Sequence, residues 1–220
     1  MVKLDNVTIV GVAGTLAEET LKAIEYSCRK VQFYAAKLIT PHDVKSEVCQ
    51  IVNCEPLNYE QYNHFIVYRL HEYVDTDFAL LVQNDGYVVN PDKWSDEFLS
   101  YDYVGAPWPM PHDDYSFRDS EGDLYRVGNG GFSLRSKKLL KFPTYLGLEW
   151  KEYYGNYHED GFLCVHNRKA LEAVGCSFAP MEVAKHFSHE IEIPETRGII
   201  PFGFHGKNNY YYSVTRNKLK

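Results

Sequence analysis

At 220 residues the chain is long enough to bury a substantial core as one large domain, without disulfide or metal staples. Its formal net charge of -7 and pI of about 5.7 exclude a nucleic-acid backbone or an anionic membrane as the main partner, because both select a net basic face. The 18 Tyr and 12 Phe suit ordinary cores first, and surfaces that stack on sugars or bases second.

In chain order, Asn6 to Val12 reads as a first strand closed by the flexible Gly11-Val12-Ala13-Gly14. Six apolar residues are too few for a membrane span, and no signal-peptide pattern precedes them. Thr15 is the expected N-cap of a helix running to about Arg29, with Leu16, Thr20, Ala23 and Ile24 on one face. The loop holding Val12, Gly14 and Thr15 can admit a nucleotide base or phosphate, although it lacks a full dinucleotide or P-loop glycine pattern and also reads as an ordinary turn. Phe33 to Ile39 and Val48 to Asn53 read as further strands, and Asn58 to Tyr73 as a helix.

The run Phe78-Ala79-Leu80-Leu81-Val82 is continuously apolar, as in a strand covered on both faces, and ends in Gln83-Asn84-Asp85-Gly86. Ligands in open α/β sheets bind at that carboxyl end, so Asp85 is a candidate ligand for a hard metal. Beyond it come a short helix from Pro91 to Phe98, a strand from Tyr101 to Ala106, and the polar, acid-rich loop Pro109 to Arg126. A loop this long inside a compact domain is expected to be functional, and a lid ordering over a ligand is the reading given to it. The glycine cluster Gly128-Asn129-Gly130-Gly131 lets backbone approach a ligand closely, or makes a tight turn. It leads into a strand, then a helix around Lys137 to Lys141. Glu159 and Asp160 open a further helix to about Val174, where carboxylates often only complement the helix dipole. Alternation of strands and helices implies a mostly parallel, doubly wound sheet.

Cys28, Cys49, Cys54, Cys164 and Cys176 form no Cys-x-x-Cys pair and no zinc spacing, which predicts reduced, buried thiols and a cytoplasmic protein without a transmembrane segment. His186 and His189 lack the intervening glutamate of a zinc hydrolase and are read as structural or as acceptor contacts.

Gln83-Asn84-Asp85 at a strand end resembles the DxD position of the GT-A-fold, nucleotide-sugar-dependent glycosyltransferases. Gly105-Ala106-Pro107-Trp108, Gly128 to Arg135, His158-Glu159-Asp160 and Pro201 to Lys207 follow in the order such enzymes use. A Gln-x-Asp strand end with GAPW and GNGG(F/L)SLR segments marks one branch of that superfamily, and the likeness covers roughly residues 79–207. The resemblance implies an α/β fold: a single GT-A-like (Rossmann-like) domain over residues 1–220, with a mostly parallel central sheet flanked by helices. Its nucleotide-binding half would span about residues 1–106 and its acceptor and catalytic half about 107–220.

The resemblance also implies roles. Asp85 and His205 would hold Mn²⁺ or Mg²⁺ against the donor diphosphate, with Lys207 near the phosphates. Val12, Gly14, Thr15 and Asn84 would face the nucleotide, and Gly130 and Gly131 the donor sugar. Asp160 or Glu159 would act as the base on the acceptor hydroxyl of an inverting enzyme, or position substrate in a retaining one. Gln83 departs from the pattern by replacing the first acid of the motif. The implied partners are a UDP-sugar by preference and a glycan or other hydroxyl acceptor. A nucleotidyltransferase and a non-catalytic carbohydrate-binding protein are the alternative readings.

Overall fold

The computed structural model of the chain describes residues 1–207 and Tyr211. Its first half is β1 (Val2–Val12), α1 (Ala17–Cys28), β2 (Val31–Thr40), β3 (Gln50–Asn53), α2 (Tyr59–Tyr68), β4 (Phe78–Val82) and β5 (Tyr87–Val88). The second half adds β6 (Tyr103–Val104), β7 (Phe132–Ser136), α3 (Lys137–Tyr145), α4 (Glu159–Gly161), α5 (Arg168–Ala173), α6 (Met181–Phe187), β8 (Ser188–His189) and β9 (Gly203–Phe204). Six strands form the central sheet in the order β3-β2-β1-β4-β7-β6, and β5, β9 and β8 form a second sheet. The four strands from the first half run parallel, and β7 joins antiparallel to β4. The sequence-based expectation of an α/β fold with a mostly parallel, helix-flanked sheet is met.

The middle of the sheet is where the apolar runs predicted it. Ile9, Val10, Leu80 and Leu81 are wholly buried because β1 and β4 are covered on both faces. Several boundaries differ from those read off the sequence. Thr15 does not cap α1: Leu16 takes that position with φ 54°, in the left-handed region, and offers no capping side chain. The α-helix opened by Asn58 ends at Tyr68 and tightens into a 3₁₀ turn over Leu70–Tyr73. Its start is fixed by a capping box, in which Asn58 Oδ1 accepts from Gln61 N at 2.8 Å and Gln61 Oε1 from Asn58 N at 2.9 Å. The expected helix from Pro91 is two short 3₁₀ segments, and the strand expected to start at Tyr101 is shortened to β6. After α4 the chain widens into a single π turn, Phe162–His166, before α5.

The second sheet matters most for the site. β5 pairs antiparallel with β9, Tyr87 opposite Phe204 and Val88 opposite Gly203. Continued two residues outward, that register sets Asp85 opposite Gly206, whose N–H donates to the Asp85 carbonyl at 3.2 Å. A strand end at residue 85 and a loop at residue 205 are thereby brought together. No helix among the described residues is long and apolar enough to cross a membrane.

Candidate active site

Asp85 and His205 meet as the register requires. His205 Nε2 lies 3.1 Å from Asp85 Oδ1 and 3.2 Å from Gln83 Oε1. Its Nδ1 lies 3.7 Å from Glu190 Oε1, too long for a hydrogen bond but close for an opposite charge. Burial pulls the imidazole pKa down, but the Asp85 hydrogen bond and the charges of Asp85 and Glu190 push it up to about 9. Burial also opposes ionisation of Asp85, yet His205 and the nearby Lys207 hold its carboxyl below the ordinary value. At neutral pH this is an ion pair. Lys207 itself is exposed.

The residues fit a divalent cation in donor type and spacing. Asp85 Oδ1 and Gln83 Oε1 are hard oxygens set about His205 Nε2 at 3.1 and 3.2 Å. Neighbouring ligands at about 2.1 Å in an octahedron are roughly 3 Å apart. The amide of Gln83 would there supply a neutral oxygen in place of the motif's first carboxylate. Its other end is fixed, since Gln83 Nε2 donates to Tyr62 Oη at 2.8 Å. Among the described residues no three His, Cys, Asp or Glu side chains cluster as a self-sufficient metal cage. Two protein ligands and an amide leave positions for diphosphate oxygens and water, as substrate-bridging Mg²⁺ sites do.

Val12, Gly14, Thr15 and Asn84 all line one cavity of about 400 Å³, together with Gln83, Tyr59 and Tyr62. Gly14 has no alternative there, because a Cβ would stand 2.2 Å from the Leu57 carbonyl oxygen. The two tyrosines come from α2 and went unnoticed in the sequence, where they read only as a helix face.

The glycine loop ties this cavity to a second one. Gln83 N donates to the Gly131 carbonyl at 2.9 Å, and a Cβ on Gly131 would fall 2.0 Å from His205 Nε2. Gly130 N donates to Asp160 Oδ2 at 3.0 Å, while Asp160 Oδ1 accepts from Gly161 N at 2.7 Å. Asn129, immediately before Gly130, has φ 59°, which suits Asn better than most residues. Gly130 and Gly131 therefore lie between Asp160 and the Asp85–His205 pair.

The expected acidic pair is divided. Asp160 is half-buried and lines a second cavity of about 460 Å³ with Trp108, Tyr154 and His158. Glu159 points the other way and is corrected from candidate base to structural anion. It is buried against the wholly buried Arg135 at 2.7 Å and 2.9 Å, and its N–H donates to Asn63 Oδ1 at 3.0 Å. Burial pushes the Glu159 carboxyl up, against the pull of the guanidinium. Arg135 also donates to Ser133 Oγ at 3.0 Å and lies 5.0 Å from the Tyr103 ring centre. This buried pair lies beneath the glycine loop, for a Cβ on Gly130 would overlap Glu159 Oε1 at 1.6 Å.

The loop of residues 109–126 is not arranged as a lid over the first cavity. It lines the second, and it is pinned there: Lys169 Nζ reaches Asp119, Glu121 and Asp123 at 3.0, 2.6 and 2.5 Å, and Arg126 meets Glu195 at 2.6 Å. His189 is buried with Nε2 on the Lys185 carbonyl at 2.7 Å, a structural placement. Cys49, Cys164 and Cys176 are buried, Cys28 and Cys54 partly so, and all five thiols are free.

Comparison with known proteins follows this geometry. Residues 50–205 match the family described as "Protein of unknown function (DUF5672)". No curated protein matches the sequence. Among solved structures, the chain is similar to a glycosyltransferase involved in the glycosylation of the major capsid of PBCV-1, with 13% identity over 97% of this chain and 98% of that one and a TM-score of 0.52. It is also similar to the galactosyltransferase LgtC in complex with donor and acceptor sugar analogs, with 12% identity over 96% of this chain and 95% of that one and a TM-score of 0.56. An active-site mutant of LgtC matches at 14% identity, 96% and 94% coverage and a TM-score of 0.56. These likenesses establish the GT-A-type fold.

Proposed function

We propose, from the premise that the chain belongs to the family described as "Protein of unknown function (DUF5672)", that it is a glycosyltransferase. It would move a sugar from a nucleoside diphosphate, UDP by preference, to the hydroxyl of a glycan or similar acceptor. The observation that carries this reading is the convergence of Gln83 Oε1, Asp85 Oδ1 and His205 Nε2 at the carboxyl end of β4, where Gln83 and Asn84 also line the first cavity. A divalent cation, Mn²⁺ or Mg²⁺, would offset the charge that builds on the leaving diphosphate.

The chain's own groups have separable tasks. Asp85 and Gln83 present oxygens, and His205 must give up its proton to present nitrogen. Tyr59 and Tyr62, which line the first cavity, would contact the nucleotide. Asp160, steadied by the Gly130 and Gly161 amides, keeps lone pairs toward the second cavity for an acceptor hydroxyl.

The test is a calorimetric titration of UDP, GDP, CDP and nucleoside triphosphates with and without Mn²⁺. UDP affinity should rise with Mn²⁺ in the unmutated protein, and Asp85→Ala should remove most of that rise with the fold intact. Equal affinity with and without the metal would overturn the reading, and a triphosphate preference would point to a nucleotidyltransferase.

A further inference from the structure

The second cavity is built mainly of aromatic side chains drawn from residues 108–117 and from residues 153–166, which run through α4 and the π turn. Trp108 and Phe117 stack at 4.7 Å with their planes 8° apart, and Tyr153 stacks on His166 at 3.7 Å and 4°. Tyr115 and Tyr154 lean together at 5.0 Å and 38°, yet remain 51% and 62% exposed. Exposed aromatic faces over an open cavity bury little by themselves, so their contribution to folding does not account for them.

Two backbone features point the same way. Phe117 and Tyr154 adopt φ of 57° and 52°, a region that bulky residues avoid. Such strain persists where the surroundings over-determine it, and it concentrates at binding sites. Leu16, with φ 54°, lines the first cavity, so three of the four non-glycine positive-φ residues among those described border one cavity or the other.

The polar groups decide the ligand's chemistry. Ser116, Asn156 and His158 line the cavity with Asp160, and among the described residues no Lys or Arg does. Burial drives the His166 pKa down to about 4, so that ring carries no charge at neutral pH. Asp160 is the one carboxylate on the wall among the described residues. An anionic ligand would meet a carboxylate and no cation, which disfavours it strongly inside a partly desolvated site. An amphipathic ring, with C–H groups on its faces and hydroxyls around its edge, would satisfy aromatic walls and scattered hydrogen-bond partners together.

We propose that this cavity seats an uncharged pyranose ring at the end of the acceptor, and that Tyr115 and Tyr154 form its stacking platform. The proposal deepens, and rests on, the reading of the chain as a glycosyltransferase. It makes the two tyrosines specificity residues for a neutral sugar end and excludes phosphorylated and uronic acid ends.

Saturation-transfer NMR with Mg²⁺, in the presence and absence of UDP, tests it on the full chain. The probes are neutral methyl gluco-, galacto- and mannopyranosides and their disaccharides, with glucuronic acid and glucose 6-phosphate as anionic counterparts. At least one neutral sugar should show transfer to its ring C–H protons, and the anionic ones should not. Tyr154→Ala and Tyr115→Ala remove exposed side chains, so the circular dichroism and UDP affinity should match those of the unmutated protein while sugar affinity falls roughly tenfold. Absence of any neutral-sugar binding, equal binding of the anionic sugars, or unchanged binding by both variants would overturn the proposal. UDP binding without sugar binding defeats this inference alone; sugar binding without UDP binding supports the cavity assignment and defeats the transferase reading.

Discussion

Replacing Arg135 by Met should expose what the Arg135–Glu159 pair does. The two side chains are 0% and 4% exposed and meet at 2.7 Å and 2.9 Å, so Arg135→Met keeps the stem and strands a carboxylate in the core. Removing one partner of a buried pair costs about 3–5 kcal/mol. The carboxyl can limit that cost by taking a proton: from its ordinary value of 4.5, protonation at pH 7 costs about 3.4 kcal/mol, at about 1.4 kcal/mol per pH unit. Above pH 4.5 the unfolded carboxyl is ionised while the folded variant's stays protonated, so the penalty grows as pH rises and vanishes below 4.5. Urea unfolding should therefore show a stability gap from the unmutated protein of about 3 kcal/mol at pH 7 that narrows toward pH 5. Adding Glu159→Gln to the variant should abolish that pH dependence. A gap below about 1 kcal/mol, or one that does not change with pH, would refute the assignment of Glu159 as a structural anion.

Three further outcomes follow from the geometry. Asp160→Asn keeps the shape but removes the proton acceptor, so sugar transfer should slow by roughly 10²–10⁴-fold with UDP affinity unchanged; an unaltered rate in a radiolabelled transfer assay would dismiss it as the base. Gly131→Ala would put a methyl 2.0 Å from His205 Nε2, and the Mn²⁺-supported UDP affinity should fall roughly 10- to 100-fold by calorimetry, whereas wild-type affinity would mean the imidazole is not used. His166, held neutral down to about pH 4 by burial, refuses a proton that the unfolded chain accepts below about 6.5. Stability should fall as pH drops through that window, and His166→Phe should flatten the fall in thermal melts; an identical slope would place the titration elsewhere.

The central sheet was legible because its signal is local. Leu80 to Val82 are apolar at every position and Val7 to Val12 at all but Thr8, as in a strand covered on both faces, and Asn58 with Gln61 spells a capping box in four residues. The errors arose where a local rule met a tertiary demand. Thr15 has the chemistry of an N-cap, but the chain turns through Leu16 in the left-handed region, where the first cavity is formed. The loop of residues 109–126 reads as a lid because it is long and polar, yet one distant lysine, Lys169, gathers three of its acids beside the second cavity.

At the site, the sequence marked residue types but not their direction. Glu159 and Asp160 are adjacent, equally acidic and equally placed at a helix start, so nothing local separates them. What separates them is Arg135, which the sequence shows only as the last letter of a glycine-rich segment. Its guanidinium, buried under Tyr103, must be neutralised, and Glu159 is the carboxylate within reach. Once that demand is met, α4 turns the next side chain outward, and Asp160 is left facing the cavity with the Gly130 amide to hold it. The carboxylate that faces the cavity is thus selected by a buried cation that lines neither cavity. Gln83 is likewise oriented by a partner that no local pattern shows: Tyr62, on α2, accepts from its Nε2 at 2.8 Å and so turns Oε1 toward His205 at 3.2 Å.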